Sequence, residues 1–368
     1  MYKFPITRKN PLNHFIIALC IASIGGLLFS YVEAPIPWLL GSMSATLIGS
    51  RFKKINLYWP RAIREVGLII VGYSIGLSFT RSAVIQILGK LPSMVFMTVS
   101  IVLFCACIAY VVSKLTGVDY PTVLTGSIPG GLSQMIVFAE EMKGIDITTV
   151  TFLQVARLIM IIFIVPFLVF NPIFNTGKGI LTNNLLPHSI QAEHHFFPNI
   201  IFFMVVCLVF AFIGKKIKSP TPYLLGPILG TAVLGLSGLH GPSLPSTILS
   251  LSQFMIGGYI GLLLKPEKLE HKAKIISLAL LSGIVMVAGS LALSIILIHF
   301  NHITPSTSLL SLAPGGMDQM GIMAHEIHAD LSMVTGYQIF RLFFIYFAVP
   351  PALRWFFKVN SKKAEKTA

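Results

Sequence analysis

The chain has 368 residues, 55% of them hydrophobic and only 11% charged, with a formal net charge of +14. A soluble domain is nearer one quarter charged, so the composition excludes an ordinary soluble globular fold. Apolar runs recur along the whole length and are long enough to cross a hydrocarbon core of about 30 Å, so the chain reads as a polytopic, all-α membrane protein.

Lys and Arg cluster at the ends of apolar segments, as membrane topology requires. The concentrated basic tail, "KVNSKKAEKTA", is too short for a nucleic-acid-binding domain, and no direct nucleic-acid contact is expected.

In chain order, the first half predicts spans near 13–31, 37–50, 62–79 and 92–113, a broken segment over 121–142 and a last span near 147–169. The second predicts spans near 199–214, 222–237, 246–264 and 273–299, a broken segment over 307–325 and a last span near 331–353. The domains are a first membrane repeat (10–170), a polar linker (171–197), a second repeat (198–356) and a basic cytoplasmic tail (357–368). The first span follows "TRKN" and resembles a signal peptide. The same kind of span recurs internally at 200–213, so it is kept as a span. Cys20, Cys105, Cys107 and Cys207 all fall in apolar spans and read as small core residues.

The halves are copies. "PWLLGSM" (37–43) matches "PYLLGPI" (222–228), "GYSIGLSF" (72–79) matches "GGYIGLLL" (257–264), and "PGGLSQM" (129–135) matches "PGGMDQM" (314–320). "QVARL" (154–158) matches "QIFRL" (338–342). The four offsets are 185, 185, 185 and 184.

Positive charges choose between two topologies. Arg157 and Arg341 fall inside spans, leaving 25 of the 27 Lys and Arg. If both PGG segments cross, there are twelve membrane segments, the halves run parallel and the split is 15 inside to 10 outside. If both re-enter, there are ten spans, the second half is inverted and the split is 22 to 3. The second arrangement satisfies the positive-inside bias, with both termini cytoplasmic in the plasma membrane. Pro and two Gly stop a helix, and broken backbone at membrane depth is tolerated only where protein buries it or a wet cavity faces it. Paired, inverted, Gly/Pro-interrupted segments point to a transporter's binding site.

The candidate site residues follow. Pro129, Gly130, Gly131, Pro314, Gly315 and Gly316 form the breaks. The helix after each break has free N–H groups and a positive dipole end, which attract anions. Ser133 and Asp318 occupy equivalent places in its first turn, followed by Gln134 and Gln319. They read either as local caps or as ligands. Asp318 supplies a carboxylate that the first half lacks, a candidate proton or cation site. Arg157 and Arg341 lie mid-span, each one turn after a Gln (Gln154, Gln338). A central Arg is expensive, so both should face the interior. There they could pair with Asp318, Glu141 or Glu326, bond the freed carbonyls, or bind an anionic solute. Gly72/Gly76 and Gly257/Gly261 have the spacing for close helix packing and permit a homodimer. "HEIHAD" (325–330) and "EHH" (193–195) lack metal-ligand spacing and read as surface polarity, and "GSIPGG" lacks the Lys of a phosphate-binding loop. No catalytic set, metal or cofactor is expected, and the protein is not read as an enzyme.

These motifs, "PWLLG…PGGLSQM…QVARL…VP" repeated as "PYLLG…PGGMDQM…QIFRL…VP", resemble the duplicated membrane domain of the AbrB membrane-protein family, over nearly the whole chain. Members are labelled AbrB family transcriptional regulator or putative ammonia monooxygenase. The resemblance implies a place among the cation–proton antiporter and anion transporter folds, which use inverted repeats. The first reading is a secondary transporter for a small, anionic organic solute. The alternatives are a membrane protein that regulates gene expression indirectly, and a channel for a small solute such as ammonia.

Overall fold

A computed structural model of the protein describes residues 11–52, 56–130, 132–142, 144–171, 196–239, 241–263 and 272–367. Among them the regular structure is helical: α1 (Pro11–Tyr31), α2 (Pro37–Gly49), α3 (Arg61–Gly76), α4 (Arg81–Gly89), α5 (Leu91–Thr116), α6 (Tyr120–Ser127), α7 (Leu132–Glu141), α8 (Ile147–Val169), α9 (Phe196–Lys216), α10 (Pro222–Leu236), α11 (Ser246–Gly261), α12 (Lys272–Asn301), α13 (Pro305–Leu312), α14 (Met317–Glu326) and α15 (Leu331–Thr367). Residues 172–195 of the linker, with the "EHH" cluster, and the charged stretch 264–271 lie outside the described residues.

Six of these helices are long and apolar enough to cross a membrane: α1, α5, α8, α9, α12 and α15. The four other expected spans are shorter. Helices α2, α3, α10 and α11 have 13, 16, 15 and 16 residues, about 20–24 Å at roughly 1.5 Å per residue. Short α4 turns by 89° from α3 where the sequence reading has only a loop. Its start is fixed by Thr80, whose hydroxyl accepts from Ala83 N–H at 3.3 Å.

The chain divides into two compact units, Met1–Ile70 with Leu244–Lys265, and Val71–Ser243 with Pro266–Ala368. In the first unit α1 and α2 touch backbone to backbone at Gly25 and Gly41, and α11 lies on α2. A Cβ on Gly257 would sit 2.5 Å from Leu39 O, and one on Gly261 would meet Met43 O and Thr46 Oγ1. Trp59 closes the packing, buried and donating from Nε1 to Met255 O at 3.1 Å. In the second unit α9 and α10 repeat the α1–α2 contact at Gly226 against Ala211. The end of α3 then lies on α10, with Gly72 against Leu224 O and Gly76 against Ile228 O. Leu39 and Leu224, and Met43 and Ile228, are equivalent positions of the duplication. The third helix of each half therefore packs on the second helix of the other, and the glycine stripes serve the packing expected of them.

The duplication is also written in the backbone. Left-handed residues recur as Glu33 and Lys218 (φ 53 and 55), Ile36 and Thr221 (48 and 43), Gly117 and His302 (75 and 52), and Gly144 and His328 (87 and 54). The last two pairs set glycine in the first half against histidine in the second. Left-handed backbone strains a residue with a Cβ. His328→Gly, at an exposed position, is expected to raise stability by about 0.5–1 kcal/mol after the entropy of the freer unfolded chain is subtracted. A melting-temperature comparison checks this.

Two cysteines depart from expectation. Cys105 and Cys207 are buried, but Cys20 and Cys107 face outward from α1 and α5. In an apolar span an outward position faces lipid, which accepts a thiol as readily as a core does.

Candidate functional site

Each PGG break separates two short helices, and the last helix of the same half closes around it. Helix α6 ends at Ser127 and α13 at Leu312, and the next residues, Ile128 and Ala313, turn extended with nearly the same torsions (φ −65, ψ 129 and φ −53, ψ 128). Pro129 and Pro314 follow, both buried and without an N–H to continue the helix. The carbonyls at the end of α6 and α13 are left without helical partners.

The central arginines take those carbonyls. On α8, Arg157 Nη1 donates to Ser127 O and Ile128 O, both at 3.0 Å, and Nη2 donates to Gln154 Oε1 at 2.7 Å. Gln154 Nε2 donates to Thr125 O (3.0 Å) and Ile128 O (2.9 Å). On α15, Arg341 donates to Leu312 O (3.2 Å), Ala313 O (2.9 Å) and Gly315 O (3.2 Å), and to Gln338 Oε1. Gln338 Nε2 reaches Leu310 O at 2.8 Å. Each Gln–Arg pair thus caps a half-helix whose C-terminal dipole is negative, where a cation is favoured. Of the three roles open from sequence, capping the freed carbonyls is the one observed. Glu141 does not meet either central arginine; it pairs with Arg354, at the end of the apolar stretch of α15 (Leu331–Trp355), at an exposed position.

The two breaks also reach the opposite half. A Cβ on Gly130 would lie 3.1 Å from Ile345 Cγ2 on α15, and one on Gly315 would lie 3.0 Å from Ile161 Cγ2 on α8. Ile161 and Ile345 are equivalent, each one turn past its arginine. Cys105 on α5, fully buried, lies close enough to both guanidinium groups to interact with them, and nothing in the sequence singles it out.

Sequence reasoning also missed the tie that sets the ends of these elements level. Asp146 and Asp330 cap α8 and α15, accepting from Thr149 N–H and Met333 N–H, both at 3.0 Å. Their own N–H groups donate to Thr122 Oγ1 (3.2 Å) and Thr307 Oγ1 (3.1 Å), in the first turns of α6 and α13. The signal was present: "YPT" and "PST" stand 185 apart and the two Asp 184 apart. Asp330 belongs to "HEIHAD", so part of that motif is a helix cap. Its His325, Glu326 and His328 are exposed, and no group of three metal-binding side chains occurs among the described residues.

Past the second break, α14 starts at Met317 with Gly316 before it, and no side chain caps that start. Asp318 and Gln319 are buried in its first turn, and Gln319 Nε2 donates to Asp318 Oδ2 at 2.9 Å. At the first break, Gly131 and the side chains of Ser133 and Gln134 lie outside the described residues.

Twofold-repeated helices, six of them able to span a bilayer, and two interrupted helices fastened by buried Gln–Arg pairs define a polytopic helical membrane protein. The chain belongs to the family described as Transition state regulatory protein AbrB, whose pattern matches residues 38–357. It is 25% identical over 370 residues to "Uncharacterized protein YhjN" of Bacillus subtilis, covering 95% of this chain and 94% of that one. It is 27% identical over 343 residues to "Putative regulator AbrB" of Escherichia coli, covering 91% and 93%.

Proposed function

We propose that the protein is a secondary transporter of a small anionic organic solute, bound where the two PGG breaks meet, and built from two inverted repeats with one re-entrant hairpin each. The observation that carries this reading is the pair of interrupted helices, related by the duplication, each lodged against the last span of the opposite half. Irregular backbone at membrane depth is the usual material of transporter sites.

Three sets of contacts support the re-entrant and inverted parts. The Thr122–Asp146 and Thr307–Asp330 hydrogen bonds set the start of each ingoing helix beside the start of the span that follows the break. That is the arrangement of a chain that returns to the face it entered from. The Glu141–Arg354 pair puts the end of α7 beside the end of the apolar stretch of α15 (Leu331–Trp355), which a crossing hairpin would leave on opposite faces. Helices α5 and α12 run antiparallel. Ser93, at the start of α5, accepts from Asn301 Nδ2 at the end of α12 (3.0 Å), and Phe104 meets Gly289 near their middles. Equivalent spans of opposite direction are what inversion requires, in line with the 22-to-3 charge split and cytoplasmic termini.

The anionic part rests on spare positive groups. Arg157 is buried, yet its Nε–H has no acceptor among the described residues, and the helix start at α14 faces the same break region as Arg341. A carrier of this kind needs no catalytic set. The relative printed as "Putative regulator AbrB" carries a regulatory name; we place any effect of this chain on gene expression downstream of solute movement.

The test is a melting-temperature screen of the purified protein against small carboxylates, amino acids, phosphate and ammonium. A ligand at 100 times its Kd adds about 2.7 kcal/mol to the folded state. We expect one class of anion to raise the melting temperature and to exchange across proteoliposomes. Stabilisation by ammonium alone would replace this reading with the small-solute channel.

A further inference from the structure

The first turn of α14 holds a contact that needs a hydrogen. Gln319 is 2% exposed, and its Oε1 has no hydrogen-bond partner. That oxygen and Asp318 Oδ1 both crowd one point above the Gly316 Cα, where a methyl group would collide with each. On the other side of the same pair, Gln319 Nε2 donates to Asp318 Oδ2 at 2.9 Å. One nitrogen–oxygen pair is joined, and the two remaining acceptor oxygens lie on the same, Gly316 side of the pair. Turning the amide over exchanges its nitrogen and oxygen but leaves one oxygen against the carboxyl. An ionised carboxylate only accepts, whereas a protonated one carries an O–H donor.

From this geometry we infer that Asp318 is a proton-binding site, in which the carboxyl holds a proton on Oδ1 and donates it to Gln319 Oε1. The pair then forms a closed ring of two hydrogen bonds, Nε2–H to Oδ2 and Oδ1–H to Oε1, and the buried acceptor is satisfied. Binding is simple addition: a carboxylate and a proton give the neutral acid, and release returns the proton to water on the face to which the site is open.

On the side of the break, Arg341 of α15 is bonded to Gly315 O, with Arg157 of α8 and Cys105 of α5 near that arginine; α13 carries no ionisable side chain, and His325 and Glu326 stand at the far end of α14. Losing the proton turns a neutral ring into a carboxylate in the first turn of α14, at a helix start. That form holds the helix start against an anionic solute, while the protonated form leaves it open. The chain has one such site, since Ser133 stands where Asp318 would be in the first half. The coupling role rests on the transporter reading; the existence of the proton site does not.

The experiment is infrared difference spectroscopy on the purified protein between pH 5 and pH 9, with no solute added. We expect wild type minus Asp318→Asn to show the C=O stretch of a protonated, hydrogen-bonded carboxyl that disappears at alkaline pH. Asp318→Asn should keep the wild-type melting temperature, because its amide can close the same ring with Gln319. In Gln319→Met the band should move to higher frequency, as the acid loses its acceptor, and this serves if Asp318→Asn does not fold. Absence of any carboxyl band that depends on Asp318 or Gln319 overturns the proposal. So does a melting temperature that rises with sodium or lithium chloride over choline chloride in wild type only, which would put a metal cation there. A band without any stabilising solute sinks the transporter reading alone, and a stabilising solute without a band sinks the proton site alone.

Discussion

Arg341→Met is expected to abolish the folded protein rather than merely slow its activity. The replacement has nearly the length of the native side chain but no donors, so Leu312 O and Gly315 O lose their donor together, Gln338 Oε1 loses its own, and Ala313 O is left with Gln338 Nε2. Arg341 is 4% exposed, so water does not replace those bonds. A buried acceptor left unmade costs about 1–3 kcal/mol, which puts the loss on the order of 5 kcal/mol for Leu312 O, Gly315 O and Gln338 Oε1. A typical protein has only about 5–15 kcal/mol in all. Fluorescence-detected gel filtration of detergent extracts reads the result as loss of the monodisperse peak. Arg341→Lys should retain part of it, because an ammonium has three donors but lacks the planar fork that spans several carbonyls. Arg157→Met should act in the same direction but more weakly, because Ser127 O loses its donor while Ile128 O keeps those of Gln154 and Gly130. A monodisperse, wild-type-stable Arg341→Met would mean that the capping geometry contributes little, and that the arginine is retained for a ligand.

This result bears on what the sequence could say. The positions of the breaks, the helix starts and the duplication were legible, because Pro-Gly-Gly, the 20-residue apolar runs and the offset of 185 are local or periodic signals, whereas α15 runs past the expected end near 353 to Thr367. That both central arginines face inward was legible from the expense of a charge in hydrocarbon. Which partner each took was not: a carboxylate, a freed carbonyl and a solute all satisfy a guanidinium, and only the fold brings α8 within reach of the end of α6. Helix α4 was missed because nine residues between two spans carry no span-length signal. The outward cysteines were misread because lipid and protein core accept the same side chains, so an apolar run does not say which of its faces is inside. The Asp318–Gln319 pair was half visible. Its acidity was plain, but the setting of two acceptor oxygens on one side of it is a matter of rotamers.

Gly261→Leu should damage the first unit nearly as severely, through volume rather than polarity. The helices α2 and α11 approach so closely that even a Cβ at Gly261 would collide with Met43 O and Thr46 Oγ1, and one at Gly257 with Leu39 O and Ser42 Oγ. The obstructing atoms include backbone carbonyls, which cannot rotate away as a flexible side chain would. Relief requires the two helices to separate, which strips contacts along their whole shared length, in an apolar solvent where packing rather than the hydrophobic effect holds helices together. Overpacking typically costs about 1–3 kcal/mol, and the fixed obstruction places Gly261→Leu at or above the upper end. The second unit has its own version at Gly76, where a Cβ would lie 2.8 Å from Ile228 O, and Gly76→Leu should be as harmful. Gly235 on α10 is the contrasting case. Nothing lies within 4 Å of a Cβ there and its backbone is ordinary helix, so Gly235→Ala should be neutral or gain up to about 1 kcal/mol from helix propensity. Melting temperatures of the three variants separate the two effects. If Gly261→Leu and Gly235→Ala shifted stability alike, close approach at the stripe would not be what the glycine supplies, and the equivalence of the α2–α11 and α3–α10 contacts would lose its energetic meaning.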